Sequence, residues 1–100
     1  MTETPEQTAT ENAVQEITDL ISGIARALVD SPESVSLVAV ADGDSTILKL
    51  RVAQGDVGKV IGKQGRTARS MRTILSAASM KFKRRFALDI LEEGGSESSS

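Results

Sequence analysis

The chain has no cysteine, no histidine, no tryptophan and no tyrosine, and only two phenylalanines and two prolines among its 100 residues. Without cysteine there are no disulfides and no thiolate ligands, and without histidine the commonest metal ligand and the commonest general base are missing. These absences argue against a metalloenzyme, and neither a metal nor a cofactor is expected. Serine and threonine are plentiful, but with no histidine or suitably placed lysine base none makes a convincing nucleophile, so no enzymatic activity is expected. With Phe82 and Phe86 as the only rings, an aromatic platform for stacked bases is not expected either. No apolar run approaches the roughly 20 residues that cross a bilayer. The acidic, threonine-rich start lacks the basic and apolar regions of a signal peptide. The sequence therefore predicts a cytoplasmic protein with no membrane partner.

The charge that is present is segregated. Eleven of the twelve Lys and Arg residues lie between Lys49 and Arg85, where Asp56 is the only carboxylate, while the rest of the chain sets Arg26 against thirteen carboxylates. A formal net charge of -2 thus conceals a basic face with acidic flanks, which points to a polyanionic partner despite the acidic pI of about 5.1.

Hydrophobic periodicity predicts one small domain over residues 12–91, with residues 1–11 and 92–100 read as flexible tails, the first acidic and the second rich in Glu, Gly and Ser. Val14, Ile17, Ile21, Ile24, Ala25 and Leu28 recur at helical spacing, and Ser31-Pro32 ends that helix. Val35 to Val40 and Ile47 to Val52 read as a β-hairpin about Gly43, with Leu48, Leu50 and Val52 on the core face. A short helix is expected over Gln54 to Ile61, a glycine loop at Gly62 to Gly65, and a helix from Arg66 with Ala68, Met71, Leu75 and Ala78 inward. Phe82 to Leu91 alternates again and reads as a last strand, with Phe86, Leu88 and Ile90 inward. The long helical connection before it allows that strand to return parallel to the second. The expected fold class is α+β: a three-stranded mixed sheet with helices on one face.

The loop carries the chemistry. In Gly58-Lys59-Val60-Ile61-Gly62-Lys63-Gln64-Gly65-Arg66-Thr67, two glycines separated by two polar residues feed a cationic helix. Glycine at both ends permits positive φ and lets a phosphate approach the backbone without an intervening Cβ. The following helix N-terminus offers free N–H groups and the positive end of its dipole. Lys63 adds a charge at the tip, Gln64 a hydrogen-bond donor, and Lys59, Arg66 and Arg69 lie close in sequence, more cations than a plain turn needs. A nucleotide P-loop does not fit: Gly58 and Gly62 enclose three residues instead of four, and Gln64 follows Lys63 where Ser or Thr is required.

The run Val60-Ile61-Gly62-Lys63-Gln64-Gly65 resembles the V-I-G-x-x-G signature of the KH domain, and the order α-β-β-α-α-β is similar to its bacterial type II form. A lone domain with short tails, together with Met71-Arg72-Thr73-Ile74-Leu75 after the loop, resembles the single-domain KhpA family. Ala68 stands where many KH domains carry Ile. The resemblance implies a single-stranded RNA-binding protein acting as an RNA chaperone with a second, KhpB-like KH protein. It also implies a part in post-transcriptional control, cell shape and cell-wall homeostasis. By the same resemblance, Gly62, Lys63, Gln64 and Gly65 clamp about four nucleotides. Lys59, Arg66 and Arg69 supply charge nearby, and Val57, Val60 and Ile61, with residues of the hairpin, form an apolar groove for bases.

Two readings stay open. Lys81-Phe82-Lys83-Arg84-Arg85 is either a solvated strand start or a further phosphate contact. The domain could also serve mainly as a docking or homodimerisation module, because Val38, Val40, Ile47 and Leu91 fall by parity on the far face of the sheet.

Overall fold

Strict alternation in Ser45–Val52 makes this segment the centre of the sheet. In the computed structural model, which describes residues 5–93 and side chains from residue 11 onward, Leu48, Leu50 and Val52 of this strand are fully buried. Strand β1 (Ser36–Asp42) pairs antiparallel with β2 (Ser45–Val52), and β3 (Arg85–Glu92) pairs parallel with it on the other side, giving the order β1-β2-β3. Gly43, at φ 62°, takes the first position of the two-residue turn between β1 and β2, where a type II′ hairpin turn requires glycine.

Helix α1 (Pro5–Leu28) packs Ala13, Ile17, Ile21 and Ala25 inward, a row at steps of four, while Val14 and Ile24 are half-buried and Leu28 is exposed. The expected domain start at residue 12 falls inside the helix, which begins at Pro5. Residues 1–4 and 94–100, parts of the two expected tails, lie outside the described residues. Ser31 and Pro32 turn the chain through a 3-10 turn into β1.

The crossover from β2 to β3 contains a 3-10 turn (Gln54–Asp56), helix α2 (Val57–Ile61), the glycine loop and helix α3 (Arg66–Phe82). On α3 the buried positions are Ala68, Met71, Leu75 and Ala78, as the spacing predicts. The expected strand start at Phe82 is corrected. Phe82 extends the stripe of α3 by four residues from Ala78, and the helix closes on Lys83, whose left-handed conformation (φ 56°) forms the C-terminal cap. The strand then starts at Arg85, where the Phe86 N–H donates to Ser79 Oγ at 3.1 Å. One core unites α1, α3 and the inner sheet face, with Val60 of α2 fully buried in it.

Candidate nucleic-acid interface

The sequence stops α2 at a glycine for a steric reason. Gly62 has φ 80° and ψ 171°, and a Cβ built there would lie 2.9 Å from Thr67 Cβ and 3.0 Å from the Thr67 amide nitrogen. Gln64 (φ 57°) and Gly65 (φ 72°) are in the left-handed region, so with Gly62 three of the four loop residues have positive φ. The Gly62 N–H donates to Gly58 O at 2.8 Å, closing α2, and the Gly65 N–H donates to Gly62 O at 3.1 Å, closing the loop. No side chain caps α3 at Gly65; the Arg66 N–H donates to Lys63 O, and the other first-turn amides of this 17-residue helix have no side-chain acceptor.

The exposed side chains around this backbone are mostly cationic. Lys63, Gln64, Arg66 and Arg69 all face solvent. Arg66 donates from Nη2 to Gln64 Oε1 at 3.1 Å, which occupies the carbonyl end of Gln64 and leaves its amide N–H groups directed elsewhere.

Beside the loop lies an open groove of about 740 Å³. Val57 and Ile61 of α2, Gly65 of the loop and Ala68 of α3 form one side. Ile90 and Leu91 of β3 supply further apolar surface, and Lys49, Asp89, Arg69 and Arg72 supply its charge. Arg72 also donates from Nη2 to Leu88 O at 3.1 Å, fixing α3 against β3. Ala68, smaller than the Ile typical of the position, lines the groove instead of filling it.

Two expected site residues are placed elsewhere. Val60 is 0 % exposed and belongs to the core, because the short helix turns it away from the face that Val57 and Ile61 present. Lys59 is engaged by carboxylates: its Nζ lies 3.3 Å from Asp30 Oδ2 and 3.4 Å from Asp56 Oδ1. The Asp30 hydrogen bond and charge, followed by those of Asp56, raise the Lys59 pKa above its ordinary 10.5. Asp56 itself is buried, and burial pushes its pKa up. The N–H groups of Ser31 and Asp30, which donate to it at 3.0 and 3.3 Å, and the nearby Lys59 outweigh that effect and hold it below 3.8. This cluster ties α2 to the end of α1.

The structure adds Lys49, Arg72, Asp89, Ile90 and Leu91 to the groove. Of the hairpin, only Lys49 takes part; the strand wall comes from β3. Leu91 is 9 % exposed and so drops out of the outer-face apolar patch, where Val38 (58 %) and Val40 (38 %) remain exposed. Lys81 lies 5.1 Å from the centre of the Phe82 ring, and Arg84 bonds to Thr46 Oγ1 and Ser45 O, so this second basic run is partly structural. It sits at the far end of α3, about 25 Å from the loop at 1.5 Å per residue. Among the described residues, no three carboxylate-type ligands gather to hold a metal ion, and no helix is long and apolar enough to cross a membrane.

A sequence model of the KhpA/KhpB KH domain matches residues 18–90. The RNA-binding protein KhpA of Borreliella burgdorferi is 49% identical over 74 residues, covering 74% of this chain and 90% of that protein. The RNA-binding protein KhpA of Treponema pallidum is 51% identical over 74 residues, covering 74% of this chain and 92% of its own length. That of Caldanaerobacter subterraneus is 45% identical over 73 residues, covering 73% and 97% respectively.

Proposed function

The chain belongs to the KhpA/KhpB KH-domain family, and on that premise we propose that it is a non-catalytic binder of single-stranded RNA. The observation that carries this reading is the loop itself: three positive-φ residues open onto a helix N-terminus that no side chain caps, with Lys63, Gln64 and Arg66 at the rim and an apolar groove alongside. Backbone amides and cations take the phosphates, while the aliphatic side chains of Val57 and Ile61 receive bases without an aromatic stack. The finer reading is of a cytoplasmic RNA chaperone that works with a KhpB-like KH protein in post-transcriptional control, with consequences for cell shape and wall homeostasis. It follows the family resemblance and the family's paired name.

Fluorescence anisotropy of a labelled, unstructured RNA tests the clamp. Wild-type binding should weaken with salt at a log–log slope near -2, on the basis of about three neutralised phosphates at about 0.7 each. Lys63→Asp/Gln64→Asp should abolish binding while leaving the fold intact. Equal binding by both proteins, or none at tens of micromolar, would refute the clamp for the isolated chain. A second reading, the docking module, is favoured by the exposure of Val38 and Val40 on edge strand β1. Assembly through that strand should survive the loop charge reversal that removes RNA binding.

A further inference from the structure

A carboxylate in a groove that receives a polyanion costs phosphate affinity, so its position calls for a use. Asp89 is the only carboxylate among the residues that line the groove, and it is exposed. It lies on β3, in register with Lys49 of β2 and followed by the apolar Ile90 and Leu91. Lys63 and Arg66 belong to the glycine loop and its helix, whereas Asp89 stands on the strand side of the groove. If phosphates are held at the loop, the strand side meets the bases.

We propose that Asp89 is a base-selecting residue that favours guanine in the groove. This rests on the RNA-binding reading above. Base edges in single strands are open to hydrogen bonding along their Watson–Crick faces. A carboxylate offers only acceptors. Guanine alone presents two adjacent donors there, N1–H and the N2 amino group, with no acceptor between them, and so can meet both carboxylate oxygens. Cytosine and adenine each place a ring acceptor beside their single amino group, and uracil places its one N–H between two carbonyls. These three turn at least one lone pair toward Asp89. Ile90 and Leu91 supply apolar surface beside the carboxylate for the purine ring.

The test uses the full chain and short labelled uridine tracts carrying one central G, A, C or inosine, the last lacking the N2 amino group. The wild type should bind the single-G tract about tenfold more tightly than the all-U tract, in the range expected of a bidentate base contact, with inosine in between. Asp89→Asn and Asp89→Ala should erase that preference while binding the all-U tract at least as well as the wild type. A guanine preference that persists in both variants overturns the proposal. So does a gain in affinity by the same factor for every tract, which would reduce Asp89 to a counter-charge for its cationic neighbours. Equal wild-type binding to all tracts sinks the base selection and leaves the RNA-binding reading standing, whereas no wild-type binding to any tract sinks both.

Discussion

Thr67 occupies the space that a side chain at position 62 requires. The two residues are five apart in sequence, yet the turn of the glycine loop brings the Thr67 side chain and amide to where a Cβ on residue 62 would stand. The loop is therefore shaped by a contact as well as by its dihedral angles, and its two glycines are not equivalent.

Gly62→Ala and Gly65→Ala should separate these two requirements. At Gly65 the added methyl meets open space and only the left-handed backbone is strained, a cost of about 1–2 kcal/mol. At Gly62, φ 80° with ψ 171° is a region essentially reserved for glycine, so a larger backbone strain is joined by a clash with Thr67, whose neighbouring backbone begins α3 and cannot retreat freely. Gly62→Ala should consequently show the lower denaturation midpoint and the greater loss of RNA affinity. Chemical denaturation with RNA titration of both variants checks the order; equal losses would mean that neither the Gly62 backbone conformation nor its contact with Thr67 sets the two glycines apart.

Lys59 and Lys63 offer a second contrast. They are one helical turn apart in number, but Lys59 faces Asp30 and Asp56, while Lys63 stands exposed on the loop. Lys63→Ala should weaken RNA binding by about tenfold or less and reduce the salt slope by about 0.7, one phosphate's share. Lys59→Ala should leave the slope unchanged and instead lower thermal stability, because Asp56 stays buried after losing its cation. The two signatures are read from salt titrations and melting curves, and a reduced slope in Lys59→Ala would return that residue to the RNA surface.

Much of this was legible along the chain. Period-two alternation at Leu48, Leu50 and Val52 marks a strand buried on one face, and the stripe from Ala68 to Ala78 marks a helix, because both patterns are local. The glycine loop was legible for the same reason: its spacing reports a backbone requirement confined to a few residues. The groove was not. Asp89 and Leu91 reach it only because β3 returns parallel to β2 and presents an open edge beside α2, a relation between segments some thirty residues apart. Charge clustering in sequence groups Lys59 with the loop cations because it does not reveal that Asp30, on the turn after α1, folds back to meet it. Phe82 shows the limit of periodicity, since a residue between helix and strand can satisfy either repeat.

Asp56 makes stability depend on acid in a specific way. Its carboxylate is buried, accepts the N–H groups of Asp30 and Ser31, and faces Lys59, so its folded-state pKa lies below the unfolded value of 3.8. A depressed carboxylate pKa means that the unfolded chain binds the proton more readily. The stabilisation is present above about pH 3.8 and disappears as pH falls through the folded-state pKa. Lys59, whose pKa is raised above 10.5, contributes up to about that pH and loses its contribution as the pH rises through its folded-state pKa. Asp56→Asn removes the charge and presents an amide with one acceptor oxygen to two backbone donors. At pH 7 this variant should melt several degrees below the wild type. Other carboxylates also titrate in acid, so the informative quantity is the difference between the two melting temperatures, which should narrow as pH drops below 3.8. A gap that stays constant from pH 7 to pH 2.5 would show that the ionised Asp56 does not hold α2 to the end of α1.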